Sequence, residues 1–469
     1  MNIKSKYITN QTALILADIV TLLFPLFFIV CINSNYQFLP TNGFITFCYI
    51  HSFITLLSIF ILGTKFRHYT YRKTFWYELK EIYQVLFLTL IIEAGIASLL
   101  KLDFSRILFL LLWVNIFIFL PLIKIVVKKL LMSKNIWQRE TTIIGANKNA
   151  IEAYYALTSE KNLGFKVDRF ISTEPTDITH IFGIPVIHSS IENIIKTSSK
   201  HTQFVIALES KSTELHSIWL NKLMLNSFRY ISIVPALNGI PLDKTDFSFI
   251  FSHDIALLRV HQDISKCTST FYKRSFDIIV TSIIITLISP ILLLLYVLVK
   301  KDGGPAFYGH ERVGKFGKKF NCYKFRSMKT NSKELLEKLL ETDPSARKEW
   351  DTHFKLKNDP RVTKIGAFLR KTSLDELPQL FNVLCGNMSL VGPRPITEIE
   401  LKRYKDNVDY YYLAKPGITG LWQVSGRSEI DYDTRVQYDM WYVKNWSLWN
   451  DFVILLKTVK VVLARDGAY

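Results

Sequence analysis

The 469-residue sequence contains no CxxC pair, no HExxH and no Walker-type GxxxxGK[ST]. Its five cysteines (Cys31, Cys48, Cys267, Cys322 and Cys385) are scattered, so they read as reduced, unpaired thiols and not as a disulfide frame. The ten histidines form no ligand pattern, which argues against a zinc site. Without a Walker or kinase motif set, ATP-driven phosphotransfer is not indicated. The first apolar run lacks a small-residue cleavage site and is followed by others, so no cleavable signal peptide is expected. Zinc-finger spacing, basic zippers and RNP-type aromatic motifs are also missing, which disfavours nucleic acid as a partner.

The composition is 49% hydrophobic and 14% aromatic, yet the net charge is +18. Membrane segments joined by basic soluble parts give both at once. A basic balance with no nucleic-acid motif directs attention to anionic lipid and phosphorylated substrates. The length allows two or three domains.

Four apolar runs crowd the first third, at residues 12–32, 44–63, 83–100 and 107–127. Each is close to the ~20 residues that cross a bilayer as a helix. The loop after the second run carries Lys65, Arg67, Arg72 and Lys73, and the fourth run ends among Lys124, Lys128, Lys129 and Lys134. The first connection, residues 33–42, has no charge. The positive-inside rule therefore puts both ends of the bundle, and the soluble part that follows, on the cytoplasmic side.

Strand-like runs at 141–145, 204–208 and 230–234, with a helical pattern at 150–157, predict α/β alternation in the next segment. Its glycine-rich turn is degenerate, because Asn147 stands where a dinucleotide fold places the close-approach glycine. A structural or assembly role is expected there instead of nucleotide binding. A fifth apolar run, 276–299, contains Ser289-Pro290 near its middle and basic residues at both flanks: Lys266, Lys273 and Arg274 before it, Lys300 and Lys301 after it. Proline removes a backbone donor and bends a helix. A helix broken there, entering and leaving by one face, keeps both basic flanks in the cytoplasm. The expected fold is thus a membrane α-helical bundle (1–134), an α/β Rossmann-like middle domain (135–262), a re-entrant membrane helix broken at Ser289-Pro290 (263–301) and a mixed α/β, mostly helical catalytic domain (302–469). An amphipathic stretch near the end, 446–463, suits either a packed helix or one lying on the membrane surface.

The densest chemistry lies at 369–380, where Asp375-Glu376 follows Arg370, and at 389–395, where Arg394 stands between two prolines. The bland reading makes Asp375 the N-cap of a helix, with Pro378 in its first turn and Gly386 as its stop. That reading is compatible with chemistry, since arginine forks suit phosphate oxygens and a carboxylate can act as an oxygen nucleophile. Upstream, 303–314 and Tyr323-Lys324-Phe325-Arg326 supply glycines and cations able to wrap a diphosphate; Lys415–Gln423, Gly426 and Arg427 follow downstream.

From Lys273 onward these motifs resemble the bacterial sugar transferases, the monotopic phosphoglycosyl transferases. The resemblance extends to 69–73, 75–81 and the terminal 465–469, and so covers nearly the whole chain. It implies transfer of a sugar 1-phosphate, with galactose favoured, from a UDP-sugar to undecaprenyl phosphate at the bacterial inner membrane. It further implies Asp375 as nucleophile and Glu376 as a partner handling Mg²⁺ or protons. Arg370 and Arg394 would clamp phosphates, with Lys324 and Arg326 as further candidates and Asp439 as a third acid in the metal set with Asp375 and Glu376. The product would open O-antigen, capsule or exopolysaccharide synthesis. The rival reading is a non-catalytic membrane assembly or regulatory protein that keeps this fold. A homodimer is the default expectation for oligomeric state.

Overall fold

A computed structural model describes residues 3–36, 41–102, 105–209, 213–235, 245–249, 256–260, 264, 267–301, 303–343, 347, 359–426 and 431–464. Lys266, Arg427 and the terminal 465–469 lie outside these residues. The chain divides into two compact units, Met1–Asn238 and Gly239–Tyr469.

The first unit begins with four long helices: α1 (Ile3–Tyr36), α2 (Thr41–Thr64), α3 (Phe75–Leu99) and α4 (Arg106–Ser133). All four are long and apolar enough to cross a membrane. Phe24, Phe28, Phe53, Phe60 and Leu110 point outward, while Leu22, Ile54, Leu86, Trp113 and Ile116 form the inner core. The sequence periodicity hides a polar interior at one end of the bundle. Lys124 lies 3.0 Å from Asp18, the Tyr69 hydroxyl donates to Asp18 at 2.7 Å, and His68 lies 2.8 Å from Glu81. A charge among helices is stable only when paired, and these are. The 65–73 loop is part of this set: Arg72 donates to the carbonyls of Trp137 and Leu163, tying the loop to the segment after α4.

That segment forms a six-stranded sheet: β1 (Arg139–Ile144), β2 (Phe165–Ser172), β3 (His180–Ile181), β4 (Ile184–His188), β5 (Gln203–Ile206) and β6 (Ile231–Ile233). The order is β3-β4-β2-β1-β5-β6, parallel throughout except for the β3–β4 edge. Helix α5 (Lys148–Ser159) covers one face through Ala150 and Ala153. Helices α6 (Ile191–Thr197) and α7 (Thr213–Leu225) cover the other through Ile194, Trp219 and Leu223. The central strand β5 is buried along its whole length, whereas β4 and β6 toward the edges are largely exposed. At the strand ends where open α/β sheets take ligands, Asn147 caps α5 by accepting from the Ala150 N–H at 3.2 Å. The Asn149 amide spans the same end, donating to the carbonyls of Leu208 at 2.9 Å and Val234 at 3.3 Å.

The second unit contains a hairpin of β7 (Thr245–Phe249) and β8 (Ala256–Val260), then the 34-residue helix α8 (Cys267–Lys300). Here the expected break is not seen: the helix runs through Ser289 and Pro290. The reason is local. Pro290 lacks the N–H that would bond Thr286, and the Ser289 hydroxyl donates to that same Thr286 carbonyl at 2.9 Å. A neighbouring hydroxyl is one way an apolar helix tolerates proline.

Both ends of α8 are fastened to this same unit. Near its start Lys273 pairs with Asp451 at 2.7 Å, Arg274 donates to the Leu384 carbonyl at 2.6 Å, and Asp277 accepts from Ser389 and Leu390. Near its end Leu292, Leu295 and Val299 pack on Ala306, Phe325 and Leu369. In between, Ile283 and Leu287 stay outward, Leu287 being 74% exposed.

The rest is an antiparallel pair, β9 (Phe307–Val313) and β10 (Lys319–Phe325), and a short parallel pair, β11 (Ser389–Val391) and β12 (Gly417–Thr419). The helices are α9 (Ser332–Thr342), α10 (Lys364–Thr372), α11 (Gln379–Cys385), α12 (Glu398–Leu401), α13 (Val408–Leu413), α14 (Tyr432–Lys444) and α15 (Leu448–Ala464). The last of these packs through Val453 and Ile454 and leaves Leu456 and Val459 outward.

Candidate active site

Helix α10 ends at Ser373, which takes a left-handed backbone conformation (φ 55°). Only a few per cent of non-glycine residues adopt it, and it turns the chain sharply. The next three residues, Leu374–Glu376, form a single 3₁₀ turn before Pro378 opens α11. The acidic pair therefore sits on a tight corner between two helices. Asp375 is not the N-cap of α11, as the bland reading had it; that position belongs to Pro378. Gly386 does end α11, with φ 87°.

The two carboxylates differ in exposure, 16% for Asp375 and 37% for Glu376. Burial pushes the Asp375 carboxyl above its ordinary range, and neighbouring Glu376 adds to this, while Lys324 and Arg370 pull it back down. Lys324 Nζ lies 2.6 Å from Glu376 and 3.9 Å from Asp375. The strand period explains why it points there: Phe320, Cys322 and Lys324 alternate on one face of β10, and the core ends at the third.

Asn382, in α11, fixes that strand. Its side-chain oxygen accepts from the Tyr323 N–H at 2.9 Å, and its amide donates to the Asn321 carbonyl at 2.7 Å. The side chain thus pairs with β10 as another strand would. Sequence reasoning missed Asn382, since a polar residue within a helical pattern carries no sign of burial. Arg370 is outward and donates to the Ser327 hydroxyl at 2.9 Å, which aims its guanidinium beside the pair.

Arg394 stands exposed, its guanidinium 5.5 Å from the Trp422 ring. The loop carrying it is held by β11 and β12, where the Gly392 N–H donates to Thr419 at 3.0 Å and the Gly417 N–H to Pro393 at 2.8 Å. A Cβ on either glycine would collide with the other strand's backbone. The Cys322 thiol is raised mainly by burial, which Glu376 adds to while Lys324, Arg312 and Arg394 oppose it.

Two expected site residues are not brought to it. Arg326 donates to the Val299 carbonyl at 3.1 Å and lies against Gly304, so it closes the end of α8. Asp439 is 3% exposed and accepts from the Tyr404 hydroxyl at 2.7 Å. Burial raises its carboxyl to about 7, against the lowering effects of Tyr404 and Arg394. No group of three or more His, Cys, Asp or Glu residues fit to hold a metal occurs among the described residues. Asp375 and Glu376 remain as an adjacent pair, which fits Mg²⁺, an ion that takes one or two carboxylates and completes its shell with water and substrate phosphates.

Residues 268–465 match the bacterial sugar transferase family. A Haemophilus influenzae protein described as an uncharacterized sugar transferase is 50% identical over 98% of this chain and 99% of its own length. The Salmonella typhimurium undecaprenyl-phosphate galactose phosphotransferase is 49% identical over 92% of this chain and 91% of its own. The Erwinia amylovora UDP-galactose-lipid carrier transferase is 50% identical over 88% and 87%.

Proposed function

This chain belongs to the bacterial sugar transferases, and from that we propose that it moves a sugar 1-phosphate, galactose 1-phosphate above all, from a UDP-sugar to undecaprenyl phosphate. The sugar preference rests on the two galactose-named relatives. The observation that carries the chemistry is the Asp375 carboxylate, partly desolvated on a rigid corner with Lys324 and Arg370 beside it.

An Asp375 oxygen attacks the β-phosphorus of the donor, forming an O–P bond while the bond to the bridging oxygen breaks and UMP leaves. A phosphate oxygen of undecaprenyl phosphate then attacks the same phosphorus, frees Asp375 and carries away the sugar phosphate as a diphosphate-linked lipid. Desolvation makes Asp375 a stronger nucleophile, and Lys324 keeps it ionised. Arg370 and Arg394 hold phosphate oxygens in line. Mg²⁺, when bound by Asp375 or Glu376 and the donor phosphates, would offset the charge on those phosphates.

The lipid acceptor requires the site to stand at a membrane surface. Support comes from α8, whose two ends are fastened to one body while its middle is apolar and outward. A helix that crossed the bilayer would part those ends, so we read α8 as bending at Pro290 while staying helical, and so entering and leaving by the cytoplasmic face of the inner membrane. Radiolabelled UDP-galactose without acceptor tests the mechanism: label stays on the wild-type protein with release of UMP, and Asp375→Asn retains none. Equal turnover by Asp375→Asn would sink the covalent step, and no UMP release from any UDP-sugar would favour the non-catalytic reading.

A further inference from the structure

Beside Lys324, the hairpin of β9 and β10 carries two outward rings that the chemistry at Asp375 does not use. In the antiparallel register Tyr308 stands opposite Lys324, and His310 stands opposite Cys322. Residues directly opposite one another share a face, with Cβ atoms about 5 Å apart. Tyr308 and His310 therefore lie on the face of Lys324, whose ammonium group is 2.6 Å from Glu376. Their rings are stacked, with centroids 6.3 Å apart and planes 28° from parallel. On β10 the same face is covered, for Phe320 and Cys322 are buried in the core. On β9 it is open: Tyr308 is 58% exposed and His310 is exposed beside it. Aromatic rings stabilise a fold by being covered, so core packing does not account for this pair.

The surroundings narrow what can lie on these rings. Burial, with Arg312 and Lys324 adding to it, lowers the His310 imidazole from its ordinary value, so the ring is neutral near pH 7. Lys324 bounds the pair on one side. Arg312, which pairs with Glu400 at 3.1 Å, bounds it on the other. Between such charges a hydrocarbon chain fits badly, whereas a flat ring that both stacks and hydrogen-bonds fits well. The donor has one such part, its uracil. Attacking and leaving oxygens stand roughly in line at phosphorus, so the departing UMP extends away from Asp375. Lys324, 3.9 Å from Asp375, links that carboxylate to the strand pair where the two rings lie.

We propose that the stacked Tyr308 and His310 rings form the platform for the uracil of the donor. This rests on the transfer reaction proposed above and adds to it the groups that recognise the nucleotide. Binding energy from this remote, non-reacting part of the donor holds the β-phosphorus at Asp375. The uridine departs with UMP, so the platform serves the first half-reaction and not the second.

Isothermal titration of the full chain in detergent with UMP, alongside steady-state kinetics, tests the proposal. Tyr308→Ala should weaken UMP binding about ten-fold, the order of one lost stack between a base and an aromatic ring. It should lower kcat/KM for UDP-galactose by the same factor and leave kcat/KM for undecaprenyl phosphate unchanged. Tyr308→Phe keeps the ring and should behave as the wild type. His310→Gln keeps a polar side chain, loses the ring and should weaken UMP as well. Ribose 5-phosphate, which lacks the base, should bind the wild type and Tyr308→Ala alike. Unchanged UMP binding in Tyr308→Ala or His310→Gln overturns the platform, as does a Tyr308→Phe variant as weak as Tyr308→Ala. An equal fall in kcat/KM for the lipid acceptor would make Tyr308 a structural prop and overturn it too. The titration needs no turnover. A wild type that binds UMP and transfers nothing would refute the proposed reaction and leave the platform standing; one that does not bind UMP refutes the platform.

Discussion

Lys324 and Glu376 form an ion pair at 2.6 Å, and the same ammonium group stands 3.9 Å from Asp375. One cation thus serves two carboxylates. Its pull on Asp375 opposes burial, the larger influence, so the proposed nucleophile is held between two opposing effects. Removing Lys324 releases burial from its main opponent.

Lys324→Met should therefore raise the Asp375 carboxyl further. Catalysis needs the ionised form, so the acid limb of the kcat/KM profile should move to higher pH. At neutral pH the rate should fall by about 10²-fold, as when one preorganised charge contact is lost. An unmoved acid limb would separate Lys324 from the ionisation of Asp375.

Asn382→Ala removes both bonds to the backbone of β10. Two partly buried backbone groups losing their partners should cost on the order of 1–3 kcal/mol. The measurement is thermal unfolding alongside kcat, and a folded protein with unchanged kcat would mean that β10 holds Lys324 unaided.

Asp439 has a folded carboxyl raised to about 7. A raised group contributes stability below its unfolded pKa near 4 and loses it as pH rises through about 7. Asp439→Asn keeps the shape, and the Tyr404 hydroxyl can rotate to suit it. The variant should match the wild type near pH 4 and exceed it above pH 7 by on the order of a few kcal/mol. Thermal midpoints across that range check the sign, and a variant less stable at pH 8 would refute it.

Ser289→Ala should cost about 1 kcal/mol, because it strips the Thr286 carbonyl of its hydroxyl partner. In a Pro290→Ala background, the restored N–H at 290 takes that carbonyl, and the same Ser289→Ala change should be nearly neutral. A double-mutant cycle of unfolding free energies in detergent reads the difference. Equal costs in the two backgrounds would deny the compensation.

The apolar runs were legible as helices because length and hydropathy alone decide such segments. The strands around Ile143, Val205 and Ser232 showed through their β-branched and apolar runs. Asp375, Glu376, Arg370 and Lys324 were legible as candidates because charged side chains beside glycine and proline suit a core badly. Burial was what the sequence concealed. Asp439 and an exposed acid look alike in a string of letters, and Arg326, one residue past the end of β10, meets the end of α8 where Lys324 meets the acidic pair. The proline in α8 was visible, whereas the hydroxyl that offsets it became evident only from the geometry at Thr286. The charge network around Asp18 and Lys124 was likewise scattered over helices far apart in sequence.

The fastening of α8 at Lys273 and at Val299 has a consequence for handling the molecule. A domain held by one end of an anchor can be clipped loose, but here the outward apolar middle of the helix belongs to the folded body itself. Deleting residues 1–238 would therefore not yield a freely soluble enzyme. The fragment should sediment with vesicles after a high-salt wash and come off only in detergent, since salt screens charges and leaves hydrocarbon contact untouched.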